Sequence, residues 1–244
     1  MAAPDLSVVI PAFNESRRLG QSLQAVAEYL DRSAGPDAEV IVVDDGSTDG
    51  TAELARRRLE NRRGRVISNA RNSGKGFAVR RGVLEATGRT VLITDADLSC
   101  PIAEHSRLAD AMREGSLDIV IGSRSLPDSK VEIHQHRGRE LMGKTFNVFV
   151  RTLTGLPYVD TQCGFKLIDR ARTRALFERL TVNGFAYDVE LLLLGTRAGL
   201  RMKDVPVVWR NSTDSRVSLF GDSSRMLVDL ARIAMRARAR ADRA

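Results

Sequence analysis

The sequence predicts an α/β domain with a mostly parallel sheet, helices on both faces of that sheet, and a helical appendage at the C-terminus. Three observations support this fold class. Apolar runs of strand length alternate with stretches of helical spacing through the first half of the chain. These runs are apolar at nearly every position, which is typical of parallel strands buried on both faces. The 244 residues are 43% hydrophobic, enough for one substantial core.

Five strands are predicted in the first half of the chain. They are residues 6–10, 40–43, 66–68, 91–94 and 119–123. Between the first two, apolar residues from Leu19 to Leu30 recur at helical spacing, so this segment forms a βαβ unit. Further helices are predicted around residues 76–86 and 102–114, and they complete the alternation that a parallel sheet requires.

The second half of the chain is less regular. We predict a helix at residues 141–153 whose apolar face is made by Met142, Phe146, Phe149, Val150 and Leu153. A helix at residues 186–198, a strand at 205–209 and a final helix at 223–240 follow. The expected organisation is one domain over residues 1–216 and a basic helix within residues 217–244, for which contact with a membrane surface is one interpretation.

Polar residues follow each of the five predicted strands. In open parallel sheets, ligands bind beyond the carboxyl ends of the strands, so these residues are expected to converge on one rim. The set comprises Asn14, Glu15, Asp44, Asp45, Arg71, Asn72, Asp95, Asp97, Ser123 and Arg124.

Asp95 and Asp97 stand two positions apart at the end of the fourth strand. Two carboxylates at this spacing repel each other unless a cation lies beside them. Mg²⁺ commonly binds one or two carboxylates together with substrate phosphates, so the pair is suited to holding a metal diphosphate. The alternative is that Asp97 caps the following helix and Asp95 is solvated.

Asp44 and Asp45 end the second strand and precede Gly46 and Ser47. A turn between strand and helix explains Gly46 as the permissive backbone position and Ser47 as the cap. It does not explain two adjacent acids, whereas an acceptor for a base N–H or a ribose hydroxyl would.

Lys75 lies between two glycines at the start of a predicted helix. The full phosphate-loop spacing is absent because Phe77 follows Gly76, which argues against a P-loop ATPase or kinase. A lysine at a helix N-terminus can still meet an anion. The alternative is a plain helix start with an exposed lysine.

Composition narrows the classes of partner. The net charge of +7 favours an anionic partner: a nucleotide, a nucleic acid or an acidic membrane surface. Aromatic residues make up only 5% of the chain and offer little stacking surface, so a nucleic-acid-binding module is disfavoured and no nucleic-acid partner is expected. No apolar run approaches the roughly 20 residues that span a bilayer. Without a signal peptide, and with Cys100 and Cys163 interpreted as reduced thiols, the expected compartment is the cytoplasm.

Four motifs in order resemble the family-two glycosyltransferases of GT-A fold, which transfer a sugar from a nucleotide-diphosphate sugar. They are SVVIPAFNE (7–15), IVVDDGSTDGT (41–51), RNSGKGFAVRRG (71–82) and ITDADL (93–98). Four later motifs resemble the polyprenol-phosphate branch of that family, in particular the dolichyl-phosphate β-glucosyltransferases. These are GSR (122–124), DTQCGFKL (160–167), FAYDVELL (185–192) and VPVVW (205–209).

The resemblance implies roles for individual residues. Pro11, Ala12, Phe13 and Glu15 would line the base and ribose site, with Asp45 reaching the base and Asp44 supporting it. Asp95 and Asp97 would hold Mg²⁺ or Mn²⁺ with the sugar diphosphate, and Lys75 would lie near the diphosphate or base. Arg124, with Arg137 or Arg139, would receive the acceptor phosphate. Asp160, Gln162 and Asp188 are candidates for the sugar pocket.

The implied reaction is inverting transfer of glucose from UDP-glucose to a polyprenyl phosphate at a membrane surface. A phosphate oxygen is already anionic at neutral pH, so no strong general base is required. A mannose synthase using GDP-mannose is one alternative, although such enzymes usually carry glutamine where Ser99 stands. A family-two transferase with a soluble saccharide acceptor is another. The resemblance says nothing about the oligomeric state.

Several second-half residues have simpler interpretations. Cys163 is interpreted as a packed thiol, Trp209 as a core residue rather than a sugar platform, and His134 and His136 as surface residues. The eukaryotic glucosyltransferases have a membrane-spanning segment, and no apolar run in this sequence is expected to form one. Membrane contact would therefore come from the helix at 141–153 or from the arginine-rich final helix, lying in the interface with the apolar side down. The alternative is that both helices simply cover the sheet.

Overall fold

A seven-stranded sheet forms the centre of the protein. The computed structural model describes residues 4–33, 38–133, 137–210 and 221–241. The strands are β1 (Leu6–Ala12), β2 (Ala38–Asp44), β3 (Gly64–Ser68), β4 (Thr90–Ile93), β5 (Ile119–Ser123), β6 (Lys130–Ile133), β7 (Lys166–Asp169), β8 (Met202–Pro206) and β9 (Val208–Arg210). The central sheet has the order β3-β2-β1-β4-β7-β5-β8, and β6 pairs with β9 in a separate parallel ribbon.

Helices cover both faces of the central sheet, as predicted. They are α1 (Leu19–Ser33), α2 (Thr51–Leu59), α3 (Lys75–Glu85), α4 (His105–Gly115), α5 (Arg137–Thr154), α6 (Arg170–Arg179), α7 (Tyr187–Arg197) and α8 (Gly221–Ala241). One apolar core lies under α1, α2 and α4. The other lies under α3, α5, α6, α7 and α8.

The sheet is parallel except for β7, which runs antiparallel to both β4 and β5. Because β7 runs the opposite way, its first residue rather than its last reaches the edge where the neighbouring strands end. Lys166 pairs with Ile93 at the end of β4 and with Ile121 near the end of β5. The segment before β7 therefore enters the same rim as the loops after the parallel strands.

The predicted strand at residues 205–209 is two strands. β8 ends at Pro206, which has no N–H for a ladder, and the following residue changes partners. The Val207 N–H donates to the Ser123 carbonyl at 3.1 Å, while the Val207 carbonyl accepts from Lys130 N–H at 3.2 Å. The chain thus passes from the β5 edge to β6, and β9 begins there.

The predicted apolar face of residues 141–153 is divided in the structure. Phe146 and Val150 of α5 are buried in the core, whereas Phe149 and Leu153 are exposed. The side chain of Met142 lies outside the described residues. The predicted apolar face is therefore divided between residues that pack in the core and residues that face outward.

The final helix is present and longer than predicted, over Gly221–Ala241. Leu230 and Ile233 of this helix are buried in the same core as α5 and α7. The boundary predicted between residues 216 and 217, and the two histidines His134 and His136, lie outside the described residues. Across the part of the chain that is described, no helix is long and apolar enough to cross a membrane.

His105, the first residue of α4, gives the fold a measurable dependence on pH. Its Nδ1 lies 2.9 Å from the Tyr29 hydroxyl oxygen, and the two rings meet edge to face. Burial lowers the pKa of His105 to about 4, with the charge of Asp110 opposing this shift. The unfolded chain therefore binds a proton that the folded chain rejects, so stability falls as pH drops from about 6.5 toward 4.

We expect the His105→Gln variant to lose this part of the pH dependence. Urea unfolding of both proteins between pH 7 and 4.5 measures it. The free energy of unfolding should fall more steeply with decreasing pH in the wild type than in the variant. Parallel curves would show that His105 titrates normally in the fold.

Candidate active site

The predicted strand-end residues converge on the rim formed by the carboxyl ends of β1, β2, β4 and β5. The antiparallel β7 adds the loop at residues 160–165 to this rim from the other side. The site has a first half built from the first 100 residues and a second half built from residues 124, 160–166 and 188.

The loop after β1 is held by side chains from the loop after β2. Pro11 and Ala12 are buried at the end of β1, and Phe13 is partly exposed beside them. The backbone N–H of Glu15 donates to Thr51 Oγ1 at 2.8 Å. The carboxylate of Glu15 in turn accepts from Arg18 Nη2 at 2.7 Å, so Glu15 is fixed on the rim by charge as well as by backbone.

Asp45 organises the loop that leads into α3. Its buried carboxylate accepts from Asn69 Nδ2 at 2.6 Å, from the Ser73 N–H at 3.0 Å and from the Gly74 N–H at 2.7 Å. Asp44 is also buried, and its Oδ1 accepts from the Ser47 N–H at 3.3 Å. Asp44 therefore shapes the turn after β2. Asp45 shapes the loop after β3 and so sets the position from which Lys75 begins α3.

Lys75 and Asp95 form a close ion pair at the centre of the rim, with 2.5 Å between Nζ and Oδ1. Burial opposes the charge on each group, but the partner charge outweighs it, so the pKa of Asp95 is lowered. The carboxylates of Asp95, Asp188 and Asp97 together raise the pKa of Lys75. Both groups are therefore held in their charged forms, with a cation already beside the first aspartate of the DAD motif.

Gly164 leaves space for the Asp95 carboxylate. A Cβ atom at position 164 would lie 2.2 Å from Asp95 Oδ2, a distance that no packing adjustment accommodates without moving the carboxylate. Any side chain at this position would displace Asp95. The loop before β7 thus packs directly against the DAD motif.

Asp97 faces the first loop. Its Oδ1 accepts from the Ser99 N–H at 2.9 Å, and its Oδ2 lies 3.4 Å from Arg18 Nη1. The Ser99 contact is local to the loop and is not the helix cap given as the alternative to metal binding, because the N-caps of the following helical segments are Pro101 and Glu104. It occupies only one of the two carboxylate oxygens of Asp97. Carboxylate oxygens of Asp95 and Asp97 on a strand-end rim fit a hard divalent cation that also binds phosphate oxygens. Within the described residues no group of three or more His, Cys, Asp or Glu side chains gathers around a common point, so a ligand would have to supply the remaining donors.

Arg124, Asp160 and Trp209 form a rigid unit on the second half of the site. Arg124 donates through Nε and Nη2 to the two oxygens of Asp160, at 2.7 and 2.8 Å. The guanidinium lies over the Trp209 ring, 4.8 Å from its centroid. Burial opposes ionisation of Asp160, but Arg124 outweighs it and lowers the pKa of that carboxyl. Trp209 is buried, so it supports Arg124 from below.

A second buried ion pair lies beneath the rim. Lys166 donates to Asp188 Oδ1 and to the Cys163 carbonyl, both at 2.5 Å, and its side chain is fully buried. Burial raises the pKa of Asp188 despite the nearby charge of Lys166. This pair ties α7 to the start of β7. Glu190 instead caps the turn at Thr181, accepting from its N–H at 2.9 Å, so Asp188 and Glu190 point to different surroundings.

The structure adds functional candidates that were not predicted individually, namely Arg18, Gly164 and Lys166. Gly164 and Lys166 lie inside the DTQCGFKL motif, which was the available signal, but a lysine is not expected to be buried. Cys163 is fully buried and burial raises its pKa to about 12, which supports its interpretation as a packed thiol. Gln162 is half-buried in the same loop. Arg137 and Arg139 lie in the first turn of α5, and their side chains lie outside the described residues.

Residues 7–177 match the family described as glycosyl transferase family 2. The chain is 36% identical to a dolichyl-phosphate beta-glucosyltransferase of Dictyostelium discoideum, over 95% of the chain and 74% of that protein. It is 33% identical to the protein of the same name in Saccharomyces cerevisiae, over 94% of the chain and 74% of the relative. The predicted resemblance is confirmed.

Solved structures confirm the GT-A fold. Mannosyl-3-phosphoglycerate synthase of Rubrobacter xylanophilus superposes with a TM-score of 0.72 at 22% identity, covering 99% of the chain and 76% of that structure. Glucosyl-3-phosphoglycerate synthase of Mycobacterium tuberculosis, solved in complex with Mn²⁺, UDP-glucose and phosphoglyceric acid, superposes with a TM-score of 0.70 at 20% identity. That match covers 95% of the chain and 80% of the structure.

Proposed function

Because the chain belongs to glycosyl transferase family 2, we propose that it transfers glucose from UDP-glucose to a polyprenyl phosphate such as dolichyl phosphate. Relatives named dolichyl-phosphate beta-glucosyltransferase match over nearly the whole chain and support this reaction. The observation that carries the proposal is the convergence of Lys75, Asp95 and Asp97 with the Arg124–Asp160 pair on one rim. The site can thus meet two anions, the diphosphate of the donor and the phosphate of the acceptor.

The first half of the site, built from the first 100 residues, would bind the nucleotide. Pro11, Ala12, Phe13 and Glu15 would line the base and ribose, next to the loop that Asp44 and Asp45 organise. Lys75 would lie near the diphosphate, since its ammonium is already at the rim beside Asp95. Its charge would be shared between Asp95 and the donor when the diphosphate binds.

Asp97, with Asp95, would hold a divalent cation, Mg²⁺ or Mn²⁺. When bound, such a cation supplies Lewis-acid stabilisation of the charge that develops on the leaving diphosphate. Asp97 has an oxygen directed toward Arg18 at 3.4 Å, longer than a close ion pair, whereas Asp95 is paired with Lys75 at 2.5 Å. We therefore assign the larger share of the cation's coordination to Asp97. The Mycobacterium tuberculosis structure of the same fold was solved with Mn²⁺ and UDP-glucose, which supports a divalent cation as part of the donor site.

The acceptor phosphate would be received by Arg124, with Arg137 or Arg139. Asp160 holds Nε and Nη2 of Arg124, which fixes the direction in which the guanidinium presents Nη1. An acceptor phosphate oxygen attacks the anomeric carbon from the face opposite the leaving diphosphate. The bond between that carbon and the donor phosphate oxygen breaks, so the anomeric configuration is inverted. Gln162, which is half-buried, would border the sugar, while Asp160 and Asp188, paired with Arg124 and Lys166, would support the sugar pocket from beneath.

The reaction joins a water-soluble donor to a lipid acceptor, so it must take place at a membrane surface. We propose that the protein works as a peripheral protein at the cytoplasmic face of the membrane. Cys100 and Cys163 are both free and buried, which is consistent with a reducing compartment.

The test is transfer of radiolabel from UDP-glucose, GDP-mannose or UDP-galactose into an organic-extractable product. Each donor is incubated with polyprenyl phosphate, with and without Mn²⁺. We expect metal-dependent label in the lipid phase from UDP-glucose. Label from GDP-mannose alone would make the protein a mannose synthase, and donor turnover only with a soluble saccharide would replace the lipid acceptor.

A further inference from the structure

Exposed apolar side chains are concentrated on two helices that pack against each other, α5 and α8. Seven large hydrophobic residues are exposed in the described part of the chain, and all except Phe13 lie on these helices. The six are Val148, Phe149, Leu153, Leu227, Val228 and Met235. We call them the α5/α8 apolar face.

On α5, the exposed apolar residues form a stripe separate from the buried one. Phe146 and Val150 enter the core. Val148, Phe149 and Leu153 fall at helical spacing on the neighbouring side of the helix, interleaved only with Thr145 and Thr152. This stripe carries no charged residue over more than two turns, which is unusual for a helix side that faces water.

On α8, a second exposed stripe is bordered by arginines. Leu230, Ile233 and Ala234 are buried, whereas Val228 and Met235 are 50% and 63% exposed. Arg225 and Arg232 are exposed beside this stripe, and Arg232 also contacts Asp229 at 3.3 Å. An apolar stripe with arginines along its border is the arrangement of helices that lie in the headgroup region of an anionic bilayer.

The α5/α8 apolar face is also connected to the acceptor side of the active site. Asn147 of α5 donates from Nδ2 to the Val159 carbonyl, and Thr161 Oγ1 lies 3.5 Å from Asn147 Oδ1. These contacts flank Asp160, which holds Arg124. α5 therefore carries the apolar stripe on one side and, on its other side, contacts the loop that positions the proposed phosphate-binding arginine.

We propose that the α5/α8 apolar face is the surface on which the protein docks to an anionic lipid membrane, with its apolar side chains in the headgroup region and Arg225 and Arg232 on lipid phosphates. The proposal rests on the proposed function, because a lipid acceptor is the reason for the protein to bind a membrane. Docking can nevertheless be measured without sugar transfer. Each arginine near an anionic membrane surface strengthens binding by roughly fivefold. Charge and apolar burial thus act together at this face.

The test is sedimentation with vesicles of phosphatidylcholine containing phosphatidylglycerol, compared with phosphatidylcholine alone. We expect the wild type to bind the anionic vesicles. The Val228→Ser/Met235→Ser variant should bind at least about tenfold more weakly, at high salt as well as low, because burial of two side chains is lost. The Arg225→Gln/Arg232→Gln variant should bind about 25-fold more weakly at low salt, with little difference at high salt.

The matched control is Arg57→Gln/Arg58→Gln, which removes the same charge from exposed positions on α2. It should bind like the wild type. The proposal would be overturned if the control and the Arg225→Gln/Arg232→Gln variant bound the vesicles equally. It would also be overturned if the Val228→Ser/Met235→Ser variant bound them like the wild type. If the Val228→Ser/Met235→Ser variant changed its oligomeric state in size-exclusion chromatography and its vesicle binding stayed unaltered, this face would be assigned to contact with a second copy of the chain. That result would also overturn the proposal.

Transfer to polyprenyl phosphate in detergent separates docking from catalysis. The α5/α8 variants should keep wild-type transfer in detergent, because no residue of this face lies in the proposed machinery. If the wild type transferred no sugar but still bound anionic vesicles through this face, the proposed function would fail while docking stood. If transfer were normal and no vesicle binding occurred, the docking proposal would fail alone.

Discussion

The Asp97→Asn variant is expected to lose about 10²- to 10³-fold in kcat/KM for sugar transfer while remaining folded. Asparagine retains an oxygen that can accept from the Ser99 N–H, so the turn after β4 is preserved. What it removes is the negative charge proposed to hold the cation and, through it, the leaving diphosphate. Initial rates of label transfer at saturating Mn²⁺ measure the loss, and circular dichroism checks the fold.

Asp169→Ala is the matched control for this variant. Asp169 also accepts a backbone N–H, from Arg172 at 2.9 Å, but as the N-cap of α6. Asp169 pairs with Thr90 at the start of β4, which is the end of the strand away from the candidate active site. Its loss should cost about 1 kcal/mol of stability and leave transfer unchanged. Transfer at more than half the wild-type rate in Asp97→Asn would show that the Asp97 charge is not part of the machinery.

Replacing Lys166 by methionine is expected to lower the free energy of unfolding by about 3–5 kcal/mol, because it leaves the buried Asp188 carboxylate without a partner. The pair is almost inaccessible, with the two side chains 0% and 3% exposed. The variant also removes the donor to the Cys163 carbonyl, so the loop before β7 loses one of its attachments. Urea unfolding measures the change.

Two further variants identify the cause of this loss. Lys203→Met makes the same chemical change at an exposed position of β8 and should alter stability by less than about 0.5 kcal/mol. Lys166→Met/Asp188→Leu removes both buried charges, and it should recover much of the stability lost in the single variant. If the free energy of unfolding of Lys166→Met lay within about 1 kcal/mol of the wild-type value, Asp188 would be neutral in the fold.

The parallel part of the fold was predictable from apolar periodicity alone. Strands such as Ala38–Asp44 are buried at every position and bounded by turn residues. The length of the apolar run and its unbroken pattern therefore both indicate a buried strand. The helices between them show their spacing clearly, and α3 begins one residue before its predicted start. Local sequence and tertiary structure favour the same element in these segments.

The antiparallel β7 could not be predicted in this way. It has four residues and begins with a lysine, whereas a strand buried on both faces is normally recognised by an unbroken apolar run. Lys166 is buried only because Asp188, more than twenty residues later, supplies the opposite charge. A contact between distant segments decides this element, and no local window contains it.

The positions of the candidate site residues followed from the strand ends, but their partners did not. The spacing of Asp95 and Asp97 indicated a shared cation, and in the structure Lys75 is the cation beside Asp95. Asp45 was predicted to reach the base, and its contacts instead show it holding Asn69, Ser73 and Gly74. Its role toward a nucleotide stays a prediction. Side-chain pairing depends on loop geometry that composition and periodicity do not encode.

The insertion of β7 between β4 and β5 has a consequence for how enzymes of this architecture can diverge. The half of the rim proposed for the nucleotide is complete by residue 97, whereas the half proposed for the acceptor depends on the later segment at residues 160–166. With these proposed roles, mutations in the later segment would change the choice of acceptor and leave the first half of the site intact. The limit on that freedom is Gly164, the point where the later segment contacts Asp95. Variation should be tolerated on either side of this residue more readily than at it.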